Sequence, residues 1–174
     1  MSAVILIGPD GAGKSTILAE YERRGYLIGD VDEIVSHTLG VSVAQSYTDV
    51  EKSLRYQVTL DIVRDLFGDI KQEPDNRFAL ALPPDYVDQH QIVAELRALR
   101  SIDGVVVVAI EASVSVLMRR LALHGPRVTN IVLPRKEFTL QLHKRRPQYR
   151  QDADFTIDTS EETIEKCYAM LPMA

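Results

Sequence analysis

Eight residues near the start of the chain, Gly8-Pro9-Asp10-Gly11-Ala12-Gly13-Lys14-Ser15, match Gly-x-x-x-x-Gly-Lys-(Ser/Thr). Such a stretch holds polyphosphate. Its glycines let successive backbone amides turn into one concavity, and a helix opening at its end adds partial positive charge from its dipole. Lys14 would reach the β and γ phosphates as a mobile point charge, while the Ser15 hydroxyl would coordinate Mg²⁺ beside them. An apolar run, Val4 to Ile7, precedes the loop and a helical pattern follows it, the context the motif requires. A glycine-rich turn that binds nothing would need neither that spacing nor that context. A dinucleotide loop is excluded, because Gly8, Gly11 and Gly13 do not make Gly-x-Gly-x-x-Gly.

Asp30 and Asp32 form the second constellation. They follow the short run Tyr26 to Gly29, so in a parallel sheet both lie at the carboxyl edge where the phosphate loop opens. One carboxylate there can hold Mg²⁺ through water, and the other can orient or deprotonate an acceptor hydroxyl. The competing role for Asp30 is to cap the helix expected from Val31 to Leu39.

The elements that must position these groups are legible as apolar runs alternating with helical patterns, which points to strand-helix units around a parallel sheet. Strands are expected at Val4 to Ile7, Tyr26 to Gly29, Arg77 to Leu82, Gly104 to Ile110 and Phe155 to Ile157. Besides Val31 to Leu39, helices are expected at Lys14 to Arg24, Asp49 to Phe67, Asp88 to Arg100, Ser113 to Leu123, Lys136 to Lys144 and Ser160 to Leu171. Thr48 with Glu51 suggests a capping box, and Ser113 and Ser160 suggest N-caps. Between them, His124 to Arg135 carries Gly125, Pro126, Asn130 and Pro134 and should be an irregular surface loop, a candidate lid at about residues 124–135. No linker or repeat divides the chain, so residues 1–174 are expected to form one domain.

Composition narrows the partners. A formal net charge of −5 disfavours nucleic acid, and the basic cluster Lys144-Arg145-Arg146 with Arg150 must serve something local. No apolar run approaches bilayer length and no signal-peptide pattern precedes Val4, so a cytoplasmic protein acting on a small molecule is expected, with no membrane partner. Cys167 is the single cysteine, which rules out an internal disulfide; with Ile164, Tyr168 and Leu171 at helical spacing it should pack in the core. The four histidines, His37, His90, His124 and His143, have no metal-ligand spacing.

The chain resembles the shikimate kinases through several segments taken together. These are Leu6-Ile7-Gly8-Pro9, Gly11 to Thr16, Asp30-Val31-Asp32-Glu33-Ile34, Gly40 to Ala44, Leu54-Arg55-Tyr56, Leu117 to Leu121, Arg145-Arg146-Pro147-Gln148-Tyr149 and Ala153 to Thr159. The resemblance implies a three-layer, P-loop nucleoside-kinase-like fold with a five-stranded parallel sheet flanked by helices. It also implies transfer of the ATP γ-phosphoryl group to the 3-hydroxyl of shikimate, with ATP and Mg²⁺ bound. Gly8, Gly11, Ala12, Gly13, Lys14, Ser15 and Thr16 would hold the nucleotide, and Arg120, or Arg119 in its place, would stack on adenine. Ser15 and Asp30 would match the metal side. Asp32 would contact the acceptor hydroxyl, and Arg55 and Arg145 would clamp the substrate carboxylate. Arg127, by its loop position and spacing to Arg145, would match the arginine that closes over the transferring group.

Two departures fall on the acceptor side. Where the family has three glycines after the third strand, this chain has Leu82-Pro83-Pro84, and proline neither donates an N–H nor leaves φ free. The family's helical arginine is followed three residues later by glutamate, but Arg55 is followed by Val58. A kinase with another small acceptor, or an ATP-binding regulator without catalysis, are therefore the alternatives to a shikimate kinase.

Overall fold

The computed structural model describes residues 3–121 and 129–172. Strand β1 (Ala3–Ile7) is buried at every position, which is why Ala-Val-Ile-Leu-Ile shows no polar alternation: a parallel strand covered on both faces meets helices on each side. Four more strands, β2 (Leu27–Asp30), β3 (Phe78–Ala81), β4 (Val105–Glu111) and β5 (Phe155–Asp158), join it in the order β2-β3-β1-β4-β5. All four pairings are parallel, with Ile5 opposite both Leu80 of β3 and Val107 of β4. Strand order reverses direction at β1, so the crevice at its carboxyl end is the natural ligand position.

Alternation along β1 feeds two cores. Ala3, Ile5 and Ile7 pack with Val31 and Val35 of α2 (Val31–Leu39), with Leu60, Val63 and Phe67 of α4 (Lys52–Gln72), and with Ile92, Leu96 and Leu99 of α5 (His90–Arg100). Val4 and Leu6 face the other layer, against Ile17, Leu18 and Tyr21 of α1 (Lys14–Arg23), Leu117 of α6 (Val114–Arg120) and Cys167 of α8 (Ile164–Met170). The result is three layers, helices on both faces of a five-stranded parallel sheet, as the sequence suggested. Cys167 is buried in the second core, and among the described residues no helix is long and apolar enough to cross a membrane.

Three local expectations change. The capping box lies earlier than Thr48 and Glu51: Ser42 and Gln45 bond each other's backbone amides and open α3 (Val43–Thr48). Thr48 is spent at the end of that helix, donating to the Ala44 carbonyl and to Asp49, and Glu51 begins α4 without a side-chain cap. Ser113 does cap α6, accepting from the Val116 amide. Ser160 does not cap α8, because its hydroxyl instead accepts from the Ser113 amide at 2.6 Å and Thr163 takes the cap. Finally, the irregular stretch expected at 124–135 is helical over its second part, since α7 (Thr129–Asp152) is already under way there; residues 122–128 lie outside the described ones.

The packing makes a quantitative statement about stability. Phe67 is 1% exposed within the first core and Leu140 on α7 is 60% exposed. Phe67→Ala is expected to lower unfolding free energy by about 3–5 kcal/mol in urea titration, through lost burial plus a cavity, while Leu140→Ala stays within about 0.5 kcal/mol.

Candidate active site

Glycine places the phosphate loop. Gly8, Gly11 and Gly13 have φ of 135°, 77° and 106°, in the left-handed region. At Gly8 a Cβ would lie 2.1 Å from the Ile110 carbonyl oxygen, so no side chain fits where the loop leaves β1 against β4. Gly13 then leads directly into α1. That helix has no side-chain N-cap and no acidic residue in its first turn, which leaves its positive end to an outside anion. Lys14 is folded back on the loop, its Nζ donating to the carbonyls of Gly8 at 2.8 Å and Pro9 at 2.9 Å. Burial pulls its pKa below the usual lysine value, opposed by the nearby Asp10, Asp32 and Asp30 carboxylates.

A cavity of about 580 Å³ opens in front of this loop, lined by residues 11–16, Asp30, Asp32 and Arg120 among others. Its groups fit a nucleoside triphosphate with a divalent cation. The loop and uncapped helix end suit phosphate. The Ser15 hydroxyl and the Asp30 carboxylate, in contact at 3.1 Å, make a pair of adjacent hard oxygen ligands of the kind Mg²⁺ takes. Asp30 also caps α2, its Oδ1 accepting from the Asp32 amide at 3.1 Å while Oδ2 meets Ser15. One carboxylate thus caps α2 through one oxygen and meets Ser15 through the other.

Arg120 borders the same cavity but its guanidinium is well occupied. It donates to the carbonyls of Gly11 and Ala12 at 3.2 and 3.3 Å, and to the Thr159 hydroxyl and carbonyl at 2.8 and 2.7 Å. Thr159 in turn donates to the Ala12 carbonyl at 2.8 Å. The pair braces the phosphate loop against the end of β5, a role the sequence did not suggest for Thr159.

A second cavity of about 660 Å³ adjoins the first, and Asp32 lines both. Asp32 accepts from the Tyr47 hydroxyl at 2.7 Å, an α3 contact absent from the sequence reading because α3 itself was missed. Burial pushes the Asp32 carboxyl up to about 6, helped by Asp85 and Asp30 and opposed by the Tyr47 bond and Lys14. Tyr47 also lies under the Arg55 guanidinium, whose carbon is 4.0 Å from the ring centroid.

Arg55 and Arg145 both line the second cavity, and both are ion-paired. Arg55 is 5% exposed and donates to Asp85 at 2.7 Å; Arg145 donates to Asp88 at 2.8 Å. Both partners come from the segment that follows Pro83 and Pro84. The Tyr149 hydroxyl donates to the Pro84 carbonyl, so the Arg-x-Pro-x-Tyr segment of α7 anchors the prolyl wall. Arg127 falls outside the described residues.

Comparison with known proteins finds relatives in sequence and in fold. No protein-family model matches the chain. It is 33% identical over 159 residues to a shikimate kinase of Frankia casuarinae, covering 90% of this chain but 65% of that protein. It is 25% identical over 169 residues to the shikimate kinase of Lactococcus lactis, covering 94% and 92%. Among solved structures, a shikimate kinase from Acinetobacter baumannii in complex with shikimate superimposes with a TM-score of 0.77 at 20% identity, covering 97% of this chain and 89% of that one. The shikimate kinase of Aquifex aeolicus gives 0.70 at 20% identity, covering 96% and 91%.

The Tyr47 contact yields a direct check. Because its hydrogen bond favours the ionised carboxylate, Tyr47→Phe is expected to raise the Asp32 pKa further above about 6. Carboxyl NMR titration reads this, and an unchanged or lower value would mean the hydroxyl does not stabilise the carboxylate.

Proposed function

The chain is a relative of the shikimate kinases, and from that premise we propose that it transfers the γ-phosphoryl group of ATP to a hydroxyl of a small molecule. The observation that carries the reading is the meeting of two cavities at Asp32, one cradled by the phosphate loop and one lined by Arg55, Arg145 and Tyr47. The Frankia protein is longer than the matched region, so the activity is argued from this site rather than taken from that name.

Each residue has a physical task. The amides of residues 11–16 hold phosphate oxygens, and Lys14 exchanges its two loop carbonyls for the β and γ phosphates. When bound, Mg²⁺ supplies charge neutralisation across the phosphates, with Ser15 and Asp30 as its protein ligands. Asp32 accepts the acceptor's hydroxyl proton as the new O–P bond forms and the bond to the leaving ADP oxygen breaks. A carboxyl pushed up to about 6 suits that task, being ionised at neutral pH yet more basic than an exposed aspartate. Arg120 keeps the loop in register through its bonds to the Gly11 and Ala12 carbonyls.

Shikimate is the first acceptor to try, given the relatives' names. The rival reading is an ATP-binding regulator without catalysis, favoured by the rigid Pro83-Pro84 wall. A coupled ADP-release assay with shikimate, then polyols, hydroxy acids and nucleosides, separates the two, since silence across the panel supports the regulator. In the active case Lys14→Met should lower kcat/KM by about 100-fold or more. The profile of kcat/KM should also fall as pH drops through about 6, where Asp32 becomes protonated. Undiminished activity in Lys14→Met would remove the nucleotide half of this model.

A further inference from the structure

Resting on the kinase reading above, we propose that the acceptor is a neutral polyhydroxylated molecule with no carboxylate, held through its hydroxyls by Arg55, Tyr56 and Asp85. Charge is the first ground. The two arginines that would clamp a carboxylate are each matched by an internal carboxylate, Asp85 at 2.7 Å and Asp88 at 2.8 Å. The remaining charged groups lining the cavity are Asp10, Asp32 and Lys52, so an entering carboxylate meets more anions than uncompensated cations.

Unused hydrogen-bonding capacity is the second ground, and it is independent of the first. Among the described residues, Arg55 Nη1, Asp85 Oδ1 and the Tyr56 hydroxyl are buried without a hydrogen-bond partner, although all three residues line the cavity. Arg55 is 5% and Asp85 4% exposed, so these are unmet requirements in a nearly dry setting. The set offers one donor, one acceptor and one group that is both. A hydroxyl, which donates and accepts, satisfies it. A carboxylate only accepts and would leave Asp85 Oδ1 facing another anion.

The wall that carries Asp85 is rigid. Pro83 and Pro84 fix their own φ, the Tyr86 amide donates to the Pro83 carbonyl at 3.1 Å, and the Tyr149 hydroxyl holds the Pro84 carbonyl. Asp85 therefore stays on Arg55 instead of swinging aside for a substrate carboxylate. The competing explanation is that Asp85 merely orients Arg55 for such a carboxylate, supplying the support that Val58 does not.

Shikimate and its methyl ester carry the same ring hydroxyls and differ in charge, so ADP release by the full-length wild-type chain with each separates the explanations. The ester is expected to exceed shikimate in kcat/KM by about tenfold or more. Asp85→Asn should narrow that gap by raising shikimate turnover. Release with myo-inositol or glucose but not with shikimate also supports the proposal. Equal or better use of shikimate than of its ester, with Asp85→Asn lowering it, overturns the proposal and leaves the kinase intact. Release with none of these acceptors but with a hydroxy acid overturns the proposal alone, while silence across these and the hydroxy acids and nucleosides, with ATP still bound, removes the kinase reading and the proposal with it.

Discussion

Everything at the site depends on a close approach of backbone to backbone at Gly8. The loop leaves the central strand within a space that admits no Cβ, since one would stand 2.1 Å from the Ile110 carbonyl of β4. That approach is possible only with glycine at a positive φ, and it aims the uncapped start of α1 across the carboxyl edge of the sheet. The sheet order places the same edge at its switch point, with β3 on one side of β1 and β4 on the other. Asp30 and Asp32, at the end of β2, and Pro83 to Asp85, just past β3, then converge on one crevice. Thr159 and Arg120 hold the loop from the β5 side.

Within that frame Asp32 joins two halves of different character. Toward the loop the site has a free helix end, an oxygen pair at Ser15 and Asp30, and a lysine whose charge is turned inward onto the Gly8 and Pro9 carbonyls. Toward the second cavity it is a closed network, in which Tyr47 bonds Asp32 and packs on Arg55, and Arg55 pairs with Asp85. The raised pKa of Asp32 is a product of this crowding. Its folded value near 6 stands above the ordinary 3.8, so ionising Asp32 costs stability above about pH 6 and that cost disappears as pH falls toward 4. The group best placed for chemistry is thus one that the fold holds at some expense, a frequent sign of a functional residue.

The sequence made the central features plain for physical reasons. Strands buried on both faces are apolar along their length, so the runs Val4 to Ile7 and Gly104 to Ile110 stood out, and the phosphate loop declared itself because its glycines serve backbone geometry rather than packing. What was not legible depended on distant partners. Ser42-Val43-Ala44-Gln45 carried a capping signal as good as that of Thr48 and Glu51, and only the position of α3 decides between them. The Ser160 hydroxyl was diverted by an amide 47 residues away. The pairing of Arg55 with Asp85 spans 30 residues and that of Arg145 with Asp88 spans 57, beyond any local pattern. The departure at Pro83-Pro84 was visible, but the carboxylates it brings to the arginines were not.

The central claim is that the loop from Gly8 to Ser15 binds the phosphates of ATP, and calorimetric titration of the chain with ATP and with adenosine in the presence of Mg²⁺ tests it most directly. If the loop amides, the helix end and Lys14 act as described, ATP binds at least about 100-fold more tightly than adenosine. Equal affinities for the two would contradict the account, because the phosphates would then contribute nothing.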